Sequence, residues 1–170
     1  MSVRSDRTLK PRLAANQIRA IPDQWRPRIL VTSGDETWEA LPEREPTGVI
    51  DRMRHSPWKE RWVVKRGGES SQRIGSVLAW GDPAIEFRVW RRQSDAAIPH
   101  RQDERGFEWL GHRFLFRKFP AVLECDGASA ARFRMRWSSV IVEDFREGLL
   151  EPLVLLAVGV TLVGLLDLAS

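Results

Sequence analysis

"EGLLEPLVLLAVGVTLVGLLDLAS", Glu147 to Ser170, closes the chain and decides its architecture. Pro152 to Leu166 is an uncharged run of 15 residues. As a helix it would be about 22 Å long, short of the roughly 30 Å hydrocarbon core of a bilayer. Glu151 and Asp167 bracket the run, and no Lys or Arg follows Arg146 to mark a far-side anchor. Pro152 suits the start of a helix, and Glu147 and Glu151 place negative charge at its positive end. Leu and Val cover every side, with Ala157, Gly159 and Gly164 permitting close approach. A helix apolar all round must be enclosed, by lipid or by protein. The expectation is a core helix over about 151–168. A single-span tail anchor and an interfacial helix are the alternatives.

What precedes it can supply the enclosure. "PRILVT" (27–32) ends at the turn signal "SGD", and "TGVID" (47–51) is a weaker strand candidate. "RWVVK" (61–65), "RIGSVLAW" (73–80) and "AIEFRVWR" (84–91) follow; in the last, Ile85, Phe87 and Val89 alternate with Glu86, Arg88 and Trp90. "RQSDAAIPHRQDERG" (92–106) reads as a long connection between two halves. Beyond it come "FEWL" (107–110), "HRFLFRKF" (112–119), "AVLEC" (121–125), "ARFRMRW" (131–137) and "SVIVE" (139–143), with Asp126-Gly127 as a hairpin signal. The sequence therefore predicts a mainly β fold. It is an antiparallel, closed or nearly closed barrel of about twelve short strands around a hydrophobic C-terminal helix. Residues 1–24 are expected to be a flexible basic arm and 25–170 a single domain.

Charge narrows the partners. The pI near 10 suggests an anionic partner. Residues 1–20 carry Arg4, Arg7, Lys10, Arg12 and Arg19 against Asp6, net +4, and the last 24 residues are net −3, leaving +3 for 21–146. Cys125 is the single cysteine, which excludes an intrachain disulfide and fits a reducing compartment. The first 20 residues hold no continuous apolar run, so no secretory signal is expected.

Many short strands closed by one apolar helix that opens with an acid-Pro pair give an order that resembles the tubby-like carboxy-terminal superfamily. That group includes tubby proteins, phospholipid scramblases and LURP-one-related proteins. The likeness is carried by "EPLVLLAVGVTLVGLLDL" (151–168) and "FEWLGHRFLFRKFPAVLECDGASAARFRMRW" (107–137), with "RWVVKRGGESSQRIGSV" (61–77) compatible. It implies a roughly twelve-stranded barrel threaded by its terminal helix, and a lipid-facing role. The acid-rich, calcium-binding stretch that scramblases carry before that helix has no counterpart in "VEDFREGLLE" (142–151).

No catalytic motif emerges. His55, His100 and His112 fit no metal-ligand spacing, and Cys125 reads as a structural thiol. Ser33-Gly34-Asp35 and Ser138-Ser139 lack a nucleophile-elbow context, and "GESSQRIG" (68–75) has no phosphate-loop Lys. The expectation is a non-enzymatic binding module with no cofactor and no metal. Its candidate ligand surface is three basic clusters: Arg88, Arg91 and Arg92 beside Trp90; Arg113, Arg117 and Lys118; and Arg132, Arg134 and Arg136 on one strand face. Guanidinium forks match phosphate oxygens, so acidic phospholipid headgroups or a membrane surface are the expected partners. A protein partner is a further candidate, and nucleic acid, through an Arg-Trp stacking platform, is a weaker one. Trp25, Trp58 and Trp90 are the tryptophans expected to be exposed; Trp62, Trp80, Trp109 and Trp137 are expected in the core. The expected location is the cytoplasm, peripheral to a membrane, with tail anchoring as the alternative.

Overall fold

The computed structural model describes residues 17–44, 49–50, 60–67, 72–79, 85–90, 94–98, 105–136, 139–146 and 148–169. Twelve strands precede the terminal helix: β1 (Ile18–Pro22), β2 (Ile29–Ser33), β3 (Glu36–Pro42), β4 (Trp62–Arg66), β5 (Arg73–Leu78), β6 (Ile85–Val89), β7 (Ser94–Ile98), β8 (Arg105–Trp109), β9 (His112–Arg117), β10 (Val122–Cys125), β11 (Ala128–Arg136) and β12 (Ser139–Glu143). They form one sheet in the order β7-β6-β5-β4-β3-β2-β1-β12-β11-β10-β9-β8, and every pairing is antiparallel.

Neighbours in sequence are neighbours in the sheet, except that β1 pairs with β12 and so joins the two halves. Short turns set this meander. Leu110-Gly111 and Asp126-Gly127 both have positive φ at each residue, the twist that two-residue hairpins need. The hydrogen-bonded ladder stops at β7 and β8, which are not paired with each other among the described residues. Their Cα atoms nevertheless approach within 8 Å.

Three strands correct the sequence reading. Ile18–Pro22, expected to belong to a flexible arm, is the strand that holds the halves together. Glu36–Pro42 is a full strand with Trp38 and Ala40 turned into the core. Ser94–Ile98 lies inside the expected connection between halves and forms the sheet edge beside β6. In "TGVID" the described Val49 and Ile50 are helical, not extended, and both are exposed.

The terminal helix runs Leu150–Ala169. Asp144 and Gly148 adopt positive φ in the connection from β12, and the Arg146 N–H donates to Ala130 O at 3.1 Å, tying the connection to β11. The first helical bond runs from Leu153 N–H to Leu149 O at 2.9 Å. Pro152 is thus the third helical residue, still among the positions whose N–H has no helical acceptor. Every position from Pro152 to Leu162 is buried. The buried Thr161 hydroxyl donates to Ala157 O at 2.7 Å, which satisfies it within the helix.

The helix sits closest to β6, β1, β5 and β12. Small residues allow this. A Cβ at Gly159 would lie 2.8 Å from Ile85 Cγ2, and one at Gly75 would lie 2.9 Å from Leu155 Cδ1. On the opposite side aromatic rings fill the wider space. Phe107 stacks on Phe114 at 5.1 Å, Phe116 meets Phe133 edge-on at 5.4 Å, and Phe87 meets Phe107 edge-on at 5.8 Å. Between these rings and Leu149, Leu153 and Leu156 a gap of only about 10 Å³ remains. From Pro152 to Leu162 the apolar surface of the helix is therefore covered by the protein itself. Among the described residues, no helix is long and apolar enough to cross a membrane.

Candidate functional site

Residues of β5 and β6, with Arg61 just before β4 and Ala96 of β7, line a pocket of about 520 Å³. Strand alternation puts Glu86 and Arg88 outside while Ile85, Phe87 and Val89 point into the core. Register then places Ser76 between Val63 and Arg88, and Leu78 opposite Glu86. A β-bulge between β4 and β5 delivers one more basic residue. Val64 pairs with Gly75 and Lys65 with Arg73, so Ile74 is the extra residue. Strict alternation from Ser76 would send Ile74 outward and Arg73 inward. The bulge instead turns Ile74 into the core and leaves Arg73 lining the pocket.

The pocket wall has two parts. At one end Arg61 Nη1 donates to Ser76 Oγ at 3.3 Å, and Arg61 Nη2 lies 3.6 Å from Glu86. Glu43 is nearby, its N–H bonded to Arg61 O at 2.7 Å, so at this end two carboxylates face one guanidinium. At the other end Arg73 and Arg88 flank Trp90, with guanidinium carbons 4.5 and 5.9 Å from the ring centroid. Trp90 is held by its N–H donating to Ile74 O at 2.8 Å, and 47% of its surface is exposed. Arg73 Nε is buried without a hydrogen-bond partner among the described residues. A buried N–H with no acceptor is costly, and an anion oxygen would supply one once the Arg73 side chain turns to bring Nε to the pocket surface. The arrangement suits a group bearing phosphate or carboxylate oxygens and an apolar or planar part that can rest on Trp90.

Of the expected ligand residues, the structure brings Arg88 into this pocket together with Trp90; Arg91 and Arg92 lie outside the described residues. The strand-face triplet alternates outward as expected, but two of its members are engaged. Arg132 is 3.7 Å from Asp144, and Arg134 is 2.5 Å from Glu143. Arg117 is likewise 2.8 Å from Glu124. Arg113, Lys118 and Arg136 are exposed, with no carboxylate within 4.0 Å among the described residues. The three basic clusters are therefore not one surface, and on the strand face two of the three guanidiniums already lie beside carboxylates.

Trp25, expected at the surface, is 90% exposed in the β1–β2 connection. The pairings of β1 with β12 and β12 with β11 put this connection at the sheet end that also carries Arg136. Trp38, Trp62 and Trp109 are buried, while Trp58, Trp80 and Trp137 lie outside the described residues.

Sequence reasoning missed Arg61, Arg73, Ser76 and Glu86 as a group, because only the β4–β5–β6 register and the bulge unite them. No family model, curated protein or solved structure matches the chain.

Proposed function

We propose that this chain is a non-enzymatic binding module that takes an anionic group, in the first instance an acidic phospholipid headgroup, in the pocket of Arg73, Arg88 and Trp90. The observation that carries the reading is the pair of guanidiniums on one indole beside a buried Arg73 Nε that lacks an acceptor. Trp25 at 90% exposure and Arg136, which has no carboxylate within 4.0 Å among the described residues, would give a membrane surface a second point of contact at one sheet end. The reading also takes the curled sheet as a barrel around its helix. It keeps the kinship with the tubby-like group, which the succession of short strands and one terminal helix supports.

Pelleting with vesicles tests it. Phosphatidylcholine vesicles containing phosphatidylserine should retain the protein, and pure phosphatidylcholine vesicles should not. Retention should fall at about 1 M salt, where the screening length is about 3 Å. Arg73→Glu with Arg88→Glu should abolish it. Competition by soluble glycerophosphate would identify the phosphate as the recognised group; indifference to it would mean that the lipid surface is required. Unchanged retention in the double variant, or no preference for anionic vesicles, overturns the proposal. Arg73-dependent retention on single-stranded RNA in place of vesicles would move the assignment to nucleic acid.

A further inference from the structure

The hairpin of β9 and β10 brings together three side chains that the linear spacing keeps apart. His112 opens β9, Cys125 closes β10 and Asp126 is the first residue of the following turn. Cys125 pairs with Phe114, which sets it two residues along the ladder from His112. Asp126 at φ 50 and Gly127 at φ 83 fold the Asp126 carboxylate back over β9. There the Arg113 N–H donates to Oδ1 at 3.0 Å, and His112 Nδ1 lies 2.7 Å from Oδ2. Cys125 Sγ is 3.8 Å from the same oxygen. One donor atom from each of the three residues lies within 4.8 Å of the other two.

We propose that His112 Nδ1, Cys125 Sγ and Asp126 Oδ2 form a binding site for a divalent transition-metal ion of the Zn²⁺ class, with the remaining coordination position open to solvent. A thiolate, an imidazole and a carboxylate are a donor set that Zn²⁺ accepts in tetrahedral sites. Metal–ligand bonds of about 2.0–2.3 Å place such donors roughly 3.3–3.6 Å apart. The carboxylate and imidazole at 2.7 Å need only separate slightly, while the thiol must close on both, from 3.8 Å to the carboxylate and from within 4.8 Å to the imidazole.

Orientation is already provided. The Arg113 N–H fixes the carboxylate through the oxygen that would not bind the ion, the outer-partner arrangement that steers metal ligands. Burial is graded: Cys125 is 6% exposed and would lie on the inner side of the ion, while His112 and Asp126 are exposed and leave the outer side to water. Binding releases the thiol proton, and the imidazole proton moves to Nε2 so that Nδ1 can bind through its lone pair. No redox step is involved.

Co²⁺ titration of the reduced full chain is the direct test. The chain has one cysteine, so any thiolate-to-Co²⁺ charge-transfer absorption belongs to Cys125. The expected result is such a band saturating at one equivalent and erased by added Zn²⁺. Cys125→Ser should remove the band. His112→Gln and Asp126→Asn should each weaken binding more than about tenfold, since even partners outside the ligand shell carry 10–100-fold effects. Asn tolerates the left-handed turn geometry, so Asp126→Asn should keep its thermal unfolding midpoint without metal, separating ligand loss from misfolding. Absence of the band at saturating Co²⁺, or unchanged affinity in either the His112 or the Asp126 variant, overturns the site.

Discussion

Gly159 of the terminal helix lies against Ile85 of β6 so closely that a Cβ at Gly159 would sit 2.8 Å from Ile85 Cγ2 and 3.3 Å from Val77 Cγ1. This contact sets how near the helix comes to the sheet. Ala is ordinarily favoured over Gly in a helix by about 1 kcal/mol. Here overpacking of about 1–3 kcal/mol should outweigh that gain, and Gly159→Ala should lower the urea midpoint. Gly164→Ala is the matched control, because its Cβ would meet only Met135 Cε at an ordinary 3.5 Å. It should raise the midpoint.

Gly75 should tolerate even less. A Cβ there would collide with the carbonyl oxygen of Arg88, which belongs to the β5–β6 ladder and cannot rotate away. Gly75→Ala should cost about 3 kcal/mol, at the upper end of overpacking effects. Because Arg88 also lines the pocket, vesicle retention should weaken along with stability, both measured on the same preparation.

Ending the chain at Gly148 should abolish folding. Leu153, Val154, Leu155, Leu156, Val158, Val160 and Leu162 are each at most 2% exposed. Their burial contributes about 10–20 kcal/mol as an upper bound, comparable with or larger than the about 5–15 kcal/mol net stability of an ordinary domain. Circular dichroism should show no cooperative thermal transition in the truncated chain. A truncated chain that melted as sharply as the full one would mean the sheet holds itself together.

Charge reversal should separate the pocket from the strand face. Arg132 and Arg134 already sit beside Asp144 and Glu143. Reversing both should change vesicle retention by no more than about twofold, since screened surface charges act weakly. Reversing Arg73 and Arg88 should remove it.

The Asp23 carboxyl is held below its ordinary 3.8, first by the Trp25 N–H and then by the Arg28 side chain. Because the folded value is the lower one, its stabilising effect is complete above about pH 3.8 and is lost as the pH falls through the native value. Stability should therefore rise with pH across that acidic window. Asp23→Asn should flatten the slope there, and carboxyl NMR should place the Asp23 midpoint under 3.8.

Where burial is dense and regular the sequence was transparent. The run after Glu151 and the alternations of "IEFRV" and "ARFRMR" became the helix, β6 and β11, though in β11 the inward alternation ends at Phe133 and Met135 is 48% exposed. β1 was hidden because its inward residues are only Ile18 and Ala20, while Ile21 faces outward and Pro22 ends it. β3 contains the alternation too, but two Glu and a Pro diluted its apolar signal. β7, "SDAAI", has a single β-branched residue, and its place comes from pairing with β6. The pocket and the His112–Cys125–Asp126 group share one reason for being illegible. Each joins residues of separate strands, and register is a property of the assembled sheet.

The untied line between β7 and β8 carries a consequence for how this molecule lives among others. An ordinary sheet offers its margins to stray strands, but here each margin stands in the shadow of the other. The arrangement discourages promiscuous pairing without requiring the tilt and stagger that ring closure imposes. Amide exchange should be quickest at these two strands, making them the hinge line of any breathing motion.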